Sequence, residues 1–367
     1  YKMKVLESEA VVRIPNWFFN KNIDWTLKYK VYNYPDMPDP EIKKGFGEYG
    51  DTVYRFHVKD VPPYISEPRM THNDTLYPHV KVYFGSFKNS GQYARWYYNN
   101  QIKDQMEITD KIKKKAHELV KGVETEIEKI EKIKEFVESL HYNMDHIGFG
   151  HGIKPNKPEV VLRRGFGDCK DKSILLIALL KVLEIDADPV IVLTKDMGDI
   201  DPEMPVGDFN HMITRINTKD GASIWVDPTA PNIGLGKISW PISDTWGLVI
   251  KPKGKKYMVK LPSVRAEENG TQVNTEITLS ETMDLSYKYE IVYTGLYAHL
   301  LREFVKKSTD KDVLEDIRYS LTERFFKAQV KDISISDSED GSLFKLSFTI
   351  DGIKASDRET SDNSSIY

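Results

Sequence analysis

The stretch Gly165-Phe166-Gly167-Asp168-Cys169-Lys170-Asp171-Lys172-Ser173 decides how this chain reads. Two glycines make a tight, sterically open loop. Asp168 is a good helix cap, so Cys169 opens a helix. At that end the peptide dipoles present positive partial charge, which stabilises a thiolate, the reactive form of the side chain. A cysteine kept only for packing gains nothing from glycines before it or from the polar flank Lys170-Asp171-Lys172. The helix expected next, Lys170 to Leu183, is apolar almost all round, the pattern of a helix buried on all sides.

Cys169 is the single cysteine, so no intramolecular disulfide can form. A nucleophilic thiol needs a base and a group that orients the base. His211 starts an alternating strand, His211-Met212-Ile213-Thr214-Arg215-Ile216, and Asp227 ends another, Ile224-Trp225-Val226-Asp227. The turn at Lys219–Gly221 joins them as a hairpin, and antiparallel pairing brings His211 and Asp227 to the same end. A carboxylate there accepts the imidazole N–H and fixes its tautomer. Cys169 therefore reads as nucleophile, His211 as base and Asp227 as the residue that orients the base.

Working outward, Thr109 caps a helix that Gly122 stops. Thr125 with Glu128 fits a capping box, and Ile127, Ile130, Ile133, Phe136, Val137 and Leu140 follow on one helical face. A short helix over Pro158 to Arg164 ends at Gly165, and Pro189 to Leu193 reads as a buried strand. These elements make a core over residues 106–260. Residues 1–105 read mostly as strands (Val11 to Ile14, Trp25 to Tyr34, Thr52 to Val58, His79 to Phe84), a β-rich N-terminal domain. Residues 261–367 return to alternation. Val273, Thr275, Ile277 and Leu279 share one face, as do Leu285, Tyr287, Tyr289, Ile291 and Tyr293. Helices are expected at Leu296 to Lys307 and Lys311 to Phe326, then two strands and a polar tail from Ser356. Either flank can be incomplete.

The run Gly167 to Ser173, the pair Asn210-His211 at a strand start and Trp225-Val226-Asp227-Pro228-Thr229 resemble the bacterial branch of the transglutaminase-like superfamily. Cys169, His211 and Asp227 fall one by one on its Cys, His and Asp motifs, over about residues 110–250. The flanks resemble β-rich domains of unknown function that surround this core in bacterial envelope-associated proteins, through layout and local patterns such as Tyr93 to Tyr98. The resemblance implies an α+β fold: a papain-like core, with its cysteine helix on an antiparallel sheet, and β-sandwich-like domains on both sides. It implies acyl transfer through a thioester, on a peptide, protein or cell-wall peptide substrate, at a periplasmic or extracellular location. Members hydrolyse peptide or amide bonds, transfer acyl groups to amines, or have lost activity. The alternative is a non-catalytic binding or assembly module on the same scaffold. The backbone N–H of Cys169 is one expected oxyanion donor. Tyr142, Asn143 and His146 are the side-chain candidates.

The 367 residues, 40% hydrophobic and 29% charged, have the composition of a globular chain of two or three domains. A net charge of −4 gives no electrostatic reason to expect nucleic acid, and no apolar run is long enough to span a membrane. No cofactor is expected. His141, His146 and His151 share no helical face, so no metal site is expected there. The acidic stretch Asp196, Asp199, Asp201 and Glu203 lacks the order of an EF-hand and reads as a rim or lid of the cleft. Trp96, Tyr97 and Tyr98 read as core or sheet-face residues rather than a sugar platform. The chain starts at Tyr1 without a signal-like segment and is expected to be a processed protein or a fragment.

Overall fold

The computed structural model describes residues 4–19, 25–33, 39–47, 50–61, 63, 76–143, 152–231, 233–306, 310–324, 328–338 and 343–354. The chain divides into two compact units, Tyr1–Pro231 with Leu235–Ser263, and Val264–Tyr367 with Asn232–Gly234. The first holds β1 (Val5–Ile14), α1 (Asn16–Phe19), β2 (Thr26–Tyr32), β3 (Glu41–Phe46), β4 (Asp51–Val61), β5 (His79–Gly85) and α2 (Ser90–Tyr97). It continues through α3 (Asp110–Leu119), α4 (Glu126–Ser139), β6 (His141–Tyr142), α5 (Pro158–Arg164), β7 (Phe166–Gly167), α6 (Cys169–Val182) and β8 (Asp186–Val192). It closes with β9 (His211–Asn217), β10 (Ser223–Val226), β11 (Trp246–Val249) and β12 (Met258–Lys260). Helices and sheets together make an α+β fold.

The centre of this unit is α6, buried from Lys170 to Leu180. One side packs against Ile112, Ile130, Ile133 and Val161 of α3, α4 and α5. The other lies on the antiparallel sheet β10-β9-β8-β11-β12. Strand side chains alternate between faces. Ile191 and Met212 join Ile174 and Ile177 of α6, while Val190, Val192 and Ile213 meet Trp225, Ile242 and Leu261 on the far face. The capping box at Thr125 and Glu128 is present.

Residues 90–105, read with the β-rich flank, are helical. Asn89 caps α2 by accepting the Gln92 N–H at 3.0 Å, and a π-helical turn, Tyr98–Ile102, follows. Ala94, Tyr97 and Ile102 are buried in the same cluster as α6, so this segment belongs with the core. The preceding strands form a sheet β1-β4-β3 and a ribbon β2-β5. β3 escaped the sequence reading because Glu41, Lys43 and Lys44 are exposed on an edge strand.

The second unit is the antiparallel sheet β13 (Thr271–Leu279), β14 (Asp284–Thr294), β16 (Leu343–Lys354), β15 (Gln329–Asp337) in spatial order. Its second layer is α7 (Gly295–Lys306) on β14 and β16, with α8 (Asp310–Arg324) on β15. Val330, Phe348 and Ile350 form its core with Tyr287 and Tyr289. Arg302 clamps Asp337 through two bonds of 2.6 and 2.7 Å. The tail from Ser356 lies outside the described residues. No described helix is long and apolar enough to cross a membrane.

Candidate active site

Cys169 is the first residue of α6. Gly165, at φ 73°, ends α5 in the left-handed conformation. Gly167 has no room for a side chain, since a Cβ there would come within 2.7 Å of the Asp171 Cβ. Asp168 caps the helix, with one oxygen accepting the Asp171 N–H at 3.1 Å and the other paired with the Lys170 ammonium. The Asp171 carboxylate in turn holds the backbone N–H and side-chain amide of Asn156 at 2.7 and 3.0 Å. The polar flank that marks the motif is thus bound up in fixing the loop around the thiol.

The base arrives on the sheet. The Ser173 hydroxyl donates to the Met212 carbonyl at 3.0 Å, tying α6 to β9 beside His211. Asn210 donates its N–H to Val192 at 3.1 Å and exchanges two side-chain bonds with Thr194, at 3.0 and 2.8 Å. The hairpin pairs Thr214 with Val226, so Asp227 leaves β10 toward the end where β9 begins. His211 Nε2 lies 2.9 Å from Asp227 Oδ2. The other carboxylate oxygen accepts the Thr229 N–H at 2.9 Å and its hydroxyl at 2.7 Å. Sequence reasoning missed Thr229, although a Thr two residues after an Asp is the signal of a local turn that fixes the carboxylate.

Burial alone lowers the imidazole pKa. The charge and hydrogen bond of Asp227, then the nearby Cys169 sulfur, reverse this and raise it to about 10. Burial likewise opposes ionisation of Asp227, and the His211 charge outweighs it, holding the carboxyl below the usual range. At neutral pH the pair is an imidazolium beside a carboxylate, with the thiol as the third member.

Of the oxyanion candidates, Tyr142 and Asn143 flank the site. Parallel bonds from the N–H groups of His141 to Gly165 (3.1 Å) and Asn143 to Gly167 (3.2 Å) hold them beside the cysteine loop. Burial first, then the neighbouring Cys169, Asp168 and Asp227, push the Tyr142 phenol up to about 12, so it keeps its proton. His146 and His151 lie outside the described residues. Among the described residues no group of three His, Cys, Asp or Glu side chains could hold a metal.

Lys172 was read only as part of the polar flank, yet it is only 2% exposed. Its ammonium donates to the carbonyls of Glu138 (3.2 Å) and Leu140 (3.1 Å), just before the strand that carries Tyr142. Burial lowers its pKa to about 8, against the charges of Glu138 and Asp227. A lysine one turn into a helix that is buried on all sides was the available signal.

The acidic loop reaches the β2-β5 ribbon. Lys30 pairs with Asp201 at 2.8 Å and Glu203 at 2.7 Å, Tyr32 donates to Asp201, and Lys81 donates to the Asp199 carbonyl at 2.8 Å. Downstream of this clamp, Gly207, Phe209 and Asn210 line a cavity that also reaches Cys169 and His211. The loop is therefore a rim of the cleft.

A thiol at a helix N-terminus thus stands in one cavity wall with a histidine that a carboxylate holds. Residues 113–232 match the model of the transglutaminase-like superfamily, a span that encloses Cys169, His211 and Asp227, so the chain carries a transglutaminase-like domain. No curated protein sequence matches this one. A "putative protease" from Parabacteroides distasonis is similar over 95% of this chain and 67% of its own, at 12% identity and a TM-score of 0.49. A "putative cysteine protease" from Cytophaga hutchinsonii is similar over 57% of this chain and 68% of its own, at 15% identity and a TM-score of 0.28. At those values neither likeness bears on the chemistry.

Proposed function

We propose that the protein transfers acyl groups through a thioester on Cys169, hydrolysing a peptide or amide bond. The observation that carries this reading is the imidazole of His211, held by Asp227 at 2.9 Å, in the wall of the cavity that Cys169 also lines. The thiolate attacks the carbonyl carbon, and the oxyanion is met by the Cys169 N–H and the Tyr142 hydroxyl. The C–N bond breaks as the His211 imidazolium protonates the departing amine. Water then attacks the thioester with His211 taking its proton, and the sulfur leaves as thiolate. Asp227, itself fixed by Thr229, holds the ring through both steps. The periplasmic or extracellular location and the peptide or cell-wall peptide substrate come with this reading, from the resemblance.

The test is a screen of peptides and cell-wall fragments against the protein and its Cys169→Ala variant. Acid-quenched samples are weighed by intact mass spectrometry. The expected result is product formation with a hydroxylamine-sensitive acyl adduct on Cys169, both lost in the variant. Equal product from the two proteins, or none from either across the screen, favours the binding-module alternative.

A further inference from the structure

Resting on that acyl-transfer reading, the inference concerns what lies beside the reacting carbonyl. The cavity at Cys169 and His211 has a volume of about 200 Å³. Sites that enclose a whole small molecule run to roughly 300–1,000 Å³. This one has room for a single side chain, with the rest of a peptide outside. Its other walls are Tyr93, Tyr97, Ile153, Phe209 and Met212. Tyr93 stacks parallel to Phe209 at 6.3 Å and stands edge-on to Tyr97 at 6.0 Å, an aromatic wall built from two distant parts of the chain.

Three polar side chains of this wall, Tyr97, Lys170 and Asn210, already have partners. The Tyr97 hydroxyl donates to the Ile153 carbonyl at 2.5 Å. The Lys170 ammonium is paired with Asp168, and the Asn210 amide is bonded to Thr194. Burial raises the pKa of Tyr93, which leaves that ring uncharged. A charged side chain entering here would lose its water, and the cations of the described wall, Lys170 and His211, are already matched by Asp168 and Asp227, so its entry is costly. An aromatic side chain would add to rings that favour tilted or edge-to-face neighbours.

We propose that this cavity is the acyl-side specificity pocket and that it takes an uncharged, apolar side chain, an aromatic one above all. The thioester keeps this part of the substrate on the enzyme while the amine leaves, so the occupant serves both steps.

Cys169 is the single cysteine, so alkylation reads the pocket directly. In each reaction the sulfur displaces iodide and forms an S–C bond. Rates with iodoacetamide, N-benzyliodoacetamide and iodoacetyl-β-alanine are measured on the full chain and divided by those with glutathione. The benzyl reagent should react at least ten-fold faster than the carboxylate reagent, with saturation. Ile153 is 43% exposed at the pocket mouth, so Ile153→Asp should fold, and it should cut that preference at least five-fold. A benzyl preference within two-fold of the glutathione control, or one indifferent to Ile153→Asp, overturns the pocket while fast iodoacetamide reaction leaves the acyl-transfer reading standing. If Cys169 resists all three reagents, the acyl-transfer reading falls. The pocket is then read on Cys169→Ala by ligand-observed NMR. Binding of N-acetyl-L-phenylalaninamide but not N-acetyl-L-aspartamide sustains it, and equal binding or none overturns it.

Discussion

Two polar networks in the first unit use the same kinds of group and differ in how much water reaches them. In the wall beside Cys169, His211 and Asp227 meet with side chains 14% and 7% exposed. At the rim, Asp201 is equally buried at 6%, but its partner Lys30 and that residue's second partner Glu203 are 41% and 76% exposed. Charge pairs in water are screened and gain little, whereas a desolvated pair interacts strongly and leaves a costly charge behind when one member goes. The wall is therefore expected to be indispensable part by part. The rim is expected to be an adjustable clamp.

The largest effects should come from breaking the wall. Asp227→Asn keeps the shape and removes the charge that holds the proton on His211. Acylation of Cys169 is expected to slow on the order of 100–10,000-fold, as orienting carboxylates do in comparable triads. Alkylation by iodoacetamide at pH 6 should also slow, and more so in His211→Ala. A variant that keeps its acylation rate within a few-fold of the parent would show that Asp227 merely caps the turn at Pro228.

Lys172→Met should come next. It removes the donor to two buried carbonyls, which costs about 1–3 kcal/mol for groups left unsatisfied. It also frees the strand that carries Tyr142, so acylation should weaken through the rate more than through apparent affinity. Urea unfolding and single-turnover kinetics measure the two. An unchanged midpoint would mean that the α4 end is held by packing alone.

The titrations of the wall have opposite signs. His211 rises from 6.5 to about 10, so its stabilising contribution is whole below about pH 6.5 and is lost as pH climbs toward 10. Lys172 falls from 10.5 to about 8, so between those values the unfolded chain binds the extra proton and this group favours the fold as pH rises. Between pH 6.5 and 8, of these two groups only His211 acts, and stability should decline. Thermal melts across that window should show the decline in the parent and a flatter profile in His211→Ala. An equal slope in both would detach the pair from stability.

The contrast also explains what could be read in the sequence. The wall is built from local chemistry: glycines before a cap, a thiol at a helix start, and a hairpin whose two strands are close in the chain. The burial of α6 was legible from its composition, since Ile174 to Leu180 leave no polar face. What stayed hidden depends on partners far apart. Lys172 reads as surface until α4 is folded over it. Tyr93 and Tyr97 look like aromatics of the β-rich flank until α2 docks beside α6. The Lys30–Asp201 clamp spans most of the unit with no motif at either end. In the second unit, alternation on β13 showed that Val273, Ile277 and Leu279 share a face. It could not show that they are exposed, opposite Ile291, Tyr287 and Leu285. Periodicity reports which residues point together, and burial needs the next layer.

The smallest effect tests the rim. Lys30→Met removes a half-exposed ammonium, yet Asp201 keeps the Tyr32 hydroxyl and the Glu203 N–H, the latter at 2.7 Å. With two donors remaining, the carboxylate is not stranded, and the loss in stability should be about 0–1 kcal/mol. Salt should reproduce part of it, because the screening length falls from about 10 Å at 0.1 M to about 3 Å at 1 M. The consequence should appear in the cavity, since the loop from Asp199 leads to Gly207 and Phe209 in its wall. The concentration of N-benzyliodoacetamide that gives half-maximal alkylation should rise a few-fold, with the limiting rate unchanged. High salt should shift the parent toward the variant and leave the variant where it is. A loss beyond about 3 kcal/mol would make the rim as rigid as the wall. A fall in the limiting rate would mean that the clamp reaches His211 itself, and the distinction between the two networks would dissolve.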